Sequence, residues 1–109
     1  MYALATLTIA EDAAESSAVA VAQGSPAAIL WPGTMTGTEA TIQTSTDGET
    51  WHTVRTLDGS AAYTIPITAG THQPLDPTVV YGCVGLRVRL VSDDDEAAAR
   101  TIRMSIRSL

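Results

Sequence analysis

The stretch from Glu39 to Arg55 constrains this chain most, because it reads as strand, tight turn, strand. Ala40, Ile42 and Thr44 alternate with polar residues, the period-2 signature of a half-buried strand. Asp47-Gly48 is a two-residue hairpin signal, since such turns need positive φ and glycine adopts it without steric cost. Trp51 then opens a second strand, rich in β-branched residues, that runs to about Leu57. The segment speaks for antiparallel sheet and carries no chemistry of its own.

The rest of the chain repeats the theme. Ala3 to Ile9 reads as a first strand with Leu7 and Ile9 facing in. Glu11 to Glu15 is an acidic loop, and Ser16 to Ala22 has β potential. Ala27 to Trp31 is a short apolar run stopped by Pro32-Gly33, which fits a strand inside a sandwich. Ala61 to Ile67 places Tyr63, Ile65 and Ile67 on one face, and Pro66 marks it as an edge strand because proline cannot donate to a ladder. Residues 69–77 form a loop with short extended pieces before each proline, and Val79 to Tyr81 is brief. Leu86, Val88 and Leu90 face one way and Arg87 and Arg89 the other, the cleanest alternation in the sequence. Thr101 to Arg107 closes the set with Ile102, Met104 and Ile106 inward and Arg103 and Arg107 outward. About eight short strands with regular turn signals predict an all-β antiparallel sandwich or jelly roll, one domain over residues 1–109. The expected core is Ile42, Trp51, Val54, Leu86, Val88, Leu90, Ile102, Met104 and Ile106.

Composition narrows the function classes. The formal net charge of −6 disfavours a general affinity for nucleic acid, which needs a basic face. All six basic residues are arginine, and all lie in residues 55–109; residues 1–54 carry six acids and none of the arginines. The single cysteine, Cys83, excludes an intramolecular disulfide framework and a thiolate zinc site within one chain. No apolar run approaches the roughly 20 residues that span a bilayer. The start of the chain lacks the basic flank of a secretory signal, so synthesis and folding in the cytoplasm are expected.

Candidate chemistry is sparse. Asp93-Asp94-Asp95-Glu96 offers carboxylates to a hard cation, but consecutive side chains on an extended chain diverge, and a solvated loop is the better reading. His52 and His72 have no Cys, Asp or Glu at ligand-like spacing, and Cys83 has no basic neighbour to form a thiolate. Asp47 to Trp51 is similar to the Asp-box hairpin of sialidase propellers but is one residue short and unrepeated, so Trp51 is expected to plug the core or the sheet surface rather than stack on a sugar. No metal, no cofactor and no catalytic activity are expected. Arg87, Arg89, Arg103 and Arg107, with Asp93, Asp94 and Asp95, are the partner-binding candidates. The plainer expectation for Arg87 and Arg89 is pairing with acids on an adjacent strand.

From Ala40 onward the order of features resembles a discoidin-like jelly roll. Ser45-Thr46-Asp47-Gly48-Glu49-Thr50-Trp51 matches that group's hairpin, and Leu86-Arg87-Val88-Arg89-Leu90 matches its basic strand with Leu86 in place of an aromatic. Ile29-Leu30-Trp31-Pro32, Leu75-Asp76-Pro77, Gly82 and Arg100-Thr101 make the chain similar also to small structural proteins of tailed bacteriophages and prophages. That resemblance implies a non-enzymatic virion protein, first of all a capsid decoration or head-fibre-base protein. The implied partners are the major capsid protein or other virion proteins, with many copies or a homo-oligomer on the shell, and neither nucleic acid nor membrane. The other implied role is a carbohydrate-binding module for host attachment. On this reading the terminal strand region, Tyr2 to Ile9, lies on a neighbour, and its deletion weakens attachment more than it unfolds the sandwich.

Overall fold

In the computed structural model, residues 2–21, 24–76, 85–90 and 95–108 are described. They form nine strands: β1 (Tyr2–Ile9), β2 (Val19–Ala20), β3 (Gly24–Leu30), β4 (Glu39–Ser45), β5 (His52–Thr53), β6 (Thr64–Pro66), β7 (His72–Pro74), β8 (Gly85–Leu90) and β9 (Arg100–Ser108). One sheet has the order β1-β9-β3-β7 and the other β2-β8-β4-β5, with β6 also pairing β4. Every pairing is antiparallel. If β5 and β6 are taken as one interrupted strand beside β4, this is the strand order of a jelly roll, which closes two sheets over a common core.

Register explains which side chains make that core. Ala40, Ile42 and Thr44 of β4 stand opposite Leu90, Val88 and Leu86 of β8. Leu7 of β1 stands opposite Ile102 of β9, and Ile29 of β3 opposite Met104. All of these apolar side chains are fully buried, together with Ile9. Trp31 closes one side of the core and donates its indole N–H to Gln73 at 3.4 Å. Ile106, expected inside, is half-buried near the end of β9.

Three local expectations change. The strands β4 and β5 are not joined by a two-residue turn: Thr44 pairs with His52, and the loop between them is built by side chains. Ser45 Oγ accepts the Gly48 N–H at 2.7 Å, and Asp47 Oδ1 accepts the N–H groups of Glu49 and Thr50 at 2.8 Å each. Those bonds, with the Ser45 hydroxyl, hold the Asp47 carboxyl well below its ordinary pKa. Gly48 at φ +82° supplies the left-handed residue. The strand after Trp51 is two residues long, followed by a bridge from Arg55 to Ala62 around a turn with Gly59 at φ +74°. The β potential of Ser16 to Ala22 yields only β2. The expected strand at Val79 to Tyr81, and Cys83, lie outside the described residues.

Glu96 is the largest departure. Expected in a solvated acidic loop, it is fully buried. Its Oε1 accepts the Thr36 N–H at 2.9 Å and Arg100 Nε at 2.7 Å, and its Oε2 accepts the Gly37 N–H at 2.7 Å. Its backbone N–H donates to the Ala13 carbonyl and its carbonyl accepts the Asp12 N–H, so the segments carrying Asp12 and Ala13, Thr36 and Gly37, and Arg100 all meet on this one residue. Burial pushes the Glu96 pKa up, but the Thr36 N–H, the Arg100 guanidinium and the Gly37 N–H outweigh it, and the pKa lies below the ordinary 4.5. Gly37 permits the approach: a Cβ there would sit 2.8 Å from Leu90 Cδ2 and 3.3 Å from Glu96 Oε2.

Candidate partner-binding surface

The four candidate arginines fall on opposite faces of the sandwich. Arg87 and Arg89 project from the outer face of β8, between β2 and β4. Arg87 is half-buried; its Nε donates to Gln43 Oε1 at 2.7 Å and its Nη2 lies 3.0 Å from Glu15 Oε2. Its guanidinium also sits 4.7 Å from the centre of the Trp51 ring, a cation–π distance. Arg89 pairs with the same carboxylate of Glu15. These two arginines are therefore tied down by one shared carboxylate, Glu15, and by Gln43, which leaves one unmatched positive charge between them. Glu15 and Gln43 were not singled out by sequence, because only the register brings them beside Arg87.

Trp51 is half-buried on this outer face, rather than in the core between the sheets. Its indole lies over Gly85, where a Cβ would meet Trp51 Cη2 at 3.1 Å. A groove of about 170 Å³ runs beside it, lined by Ala18, Val19, Ala20, Gly48, Trp51 and Gly85. With Arg87 over the ring and Gly85 beneath its edge, Trp51 covers the sheet as a plug. Gly85→Ala is expected to lift the indole, shift its fluorescence to the red and cost about 1–3 kcal/mol in urea unfolding. An unchanged emission maximum would show that the close approach is not constraining.

Arg103 and Arg107 stand on the outer face of the other sheet. Arg103 lies in the row Thr6, Arg103, Leu30, His72, and Ser105 in the row Leu4, Ser105, Ala28, Pro74. Arg103 and Arg107 are exposed and form no ion pair with another described residue. The strands of this sheet hold three arginines and no aspartate or glutamate, in a chain of net charge −6. Arg100, the third, is bound to Glu96. Charge is thus segregated in space and not by halves of the sequence: β1 and β3, from the arginine-free half, flank β9. Leu4, at 62% exposure, is one of the few large apolar side chains in water. Asp95 is exposed; Asp93 and Asp94 lie outside the described residues.

Among the described residues no group of three or more His, Cys, Asp or Glu side chains is placed to hold a metal ion. His52 and His72 are exposed and far apart in the pairing scheme, on β5 and β7. No described helix is long and apolar enough to cross a membrane.

No protein-family model matches the sequence, and no curated protein matches it. Among solved structures, the SPBc2 prophage-derived protein YomS is similar, with a TM-score of 0.61 at 12% identity over 99% of this chain and 96% of that one. A CBM32-3 domain from a family 31 glycoside hydrolase of Clostridium perfringens aligns with a TM-score of 0.44 at 15% identity, over 99% of this chain and 75% of that one. The YomS likeness runs the full length of both chains at low identity, and what it shows is the fold: this chain is an all-β jelly-roll sandwich of the architecture found in a prophage-derived protein.

Proposed function

We propose that this protein is a non-enzymatic structural component of a tailed-phage particle, binding an acidic surface of a shell protein through the outer face of the β1-β9-β3-β7 sheet. The observation that carries the reading is the free pair Arg103 and Arg107 on a sheet without a single acid, in an otherwise acidic molecule. Complementary charge steers encounter and fixes register, and many copies on a symmetric shell need only modest affinity each. A head-decoration or fibre-base role fits such multivalent docking. Arg87 and Arg89, held by Glu15 and Gln43, are left outside the proposed docking face, and Trp51, with Arg87 over its ring, is read as cover for the sheet rather than as a sugar platform.

The test is occupancy on purified particles of the phage or prophage that encodes the chain. The double variant Arg103→Glu, Arg107→Glu is expected to lower apparent affinity at least tenfold, about 1.4 kcal/mol, with wild-type binding weakening as salt rises. Arg89→Glu is expected to leave occupancy unchanged. Full occupancy by the double variant would remove the basis of the proposal.

A further inference from the structure

The four sheet edges are not alike. β7 is three residues long and ends in Pro74; β2 and β5 are two residues each; β6 is three residues with Pro66 at its end. Short strands and prolines are the ordinary means of blunting an edge against association. β1 has neither. It runs eight residues, Tyr-Ala-Leu-Ala-Thr-Leu-Thr-Ile, with no proline and no charge.

Part of that edge is sealed. Thr8 donates its N–H to Ser17 Oγ at 3.0 Å, and its carbonyl accepts the Ser17 N–H at 2.8 Å. In an antiparallel strand the N–H and C=O of every second residue point the same way. The backbone groups of Tyr2, Leu4 and Thr6 therefore point to the same side as those of Thr8, away from β9. Among the described residues β1 pairs with no strand but β9. The open edge is the stretch Tyr2 to Thr6, and its midpoint is Leu4, the exposed apolar residue.

From this geometry we infer that the occupant of the edge is a second copy of this chain, paired antiparallel through β1 about a two-fold axis at Leu4. Leu4 then stands opposite the second copy's Leu4, and Tyr2 opposite its Thr6, each pair exchanging both backbone hydrogen bonds. The open stretch is centred on one exposed leucine, so its own copy fits it with no residue left over. It carries no charge, so two copies meet no like charge along the seam. Arg103 and Arg107 of the two copies are separated by two β1 strands, roughly 14 Å at strand spacing and beyond the screening length at physiological salt. The Ser17 seal at Thr8 stops the pairing from running on. The product is one continuous eight-stranded sheet with the basic outer faces side by side. This inference does not depend on the shell reading, and it is tested without any particle.

Sedimentation of the full chain at about 100 μM is expected to give a dimer. Leu4→Pro removes an N–H that makes no bond to β9, so the variant is expected to keep the wild-type circular dichroism while the sedimenting mass halves. Leu4→Lys sets two like charges directly opposite each other and is expected to halve the mass too; it decides the matter should the proline variant misfold. In the wild type, the Leu4 and Thr6 amides are expected to exchange as slowly as their β9-bonded neighbours Ala5 and Leu7. A monomeric wild type, a folded Leu4 variant of unchanged mass, or fast exchange at Leu4 and Thr6 would each overturn the inference.

Discussion

Replacing Glu96 with alanine is expected to cost about 3–5 kcal/mol, a large part of the stability of a domain this size. The carboxylate is fully buried and receives the Thr36 and Gly37 N–H groups and Arg100 Nε. Its removal leaves two backbone donors and a mostly buried guanidinium without their acceptor, and the desolvation of each is then uncompensated. Glu96→Gln keeps the shape and one acceptor oxygen but loses the charge, and is expected to cost about 1–3 kcal/mol. Urea unfolding followed by tryptophan fluorescence reads both. The pH dependence has a definite sign. The folded pKa of Glu96 is depressed below 4.5, so its contribution is complete above that value and is lost as pH falls from 4.5 through the lower folded pKa. Wild type and Glu96→Gln are therefore expected to converge in stability at acid pH. A Glu96→Ala variant within 1 kcal/mol of wild type at neutral pH would show that the cluster does not hold the loops together.

Deletion of residues 2–9 is expected to abolish cooperative folding. Leu7 and Ile9 are fully buried, and each is worth about 2–5 kcal/mol as a large core side chain. The deletion also takes the whole β1–β9 ladder, from Tyr2 opposite Arg107 to Ile9 opposite Arg100. Those losses together exceed the about 5–15 kcal/mol by which a domain is stable. The sequence alone leads to the expectation that this deletion weakens attachment more than it unfolds the sandwich; the register reverses that order, making β1 structural on one edge and open on the other. A truncated chain that still melts with a single sharp transition would contradict this.

What sequence could and could not reveal divides along a physical line. β8 and β9 were legible because one face meets the core and the other water, so Leu86-Arg87-Val88-Arg89-Leu90 writes its own orientation. Pro66 correctly marked an edge strand, and Ser45-x-Asp47-Gly48 correctly marked a turn, though its bonds come from side chains and not from a two-residue geometry. Trp51 was half legible: its size argued for cover, but only the bare Gly85 across the sheet shows where it lies. Glu96 was illegible, since nothing in Asp93-Asp94-Asp95-Glu96 distinguishes the fourth acid from the first three. Its partners Thr36 and Gly37 come from a loop far away in the chain. Arg103 and Arg107 were legible as outward-facing residues of one strand, but the acid-free sheet around them was not, because it is assembled from strands at both ends of the sequence.

The pairing of β1 with β9 also has a temporal side. β1 is made before its partner and must wait for a strand more than ninety residues behind it, as the register of Leu7 with Ile102 shows. Contacts of such long sequence separation close slowly, and folding in the millisecond-to-second range is expected for this topology. Throughout synthesis, the uncharged Tyr2–Ile9 segment has neither its ladder nor its core, which makes it the part of the nascent chain most in need of protection from its neighbours.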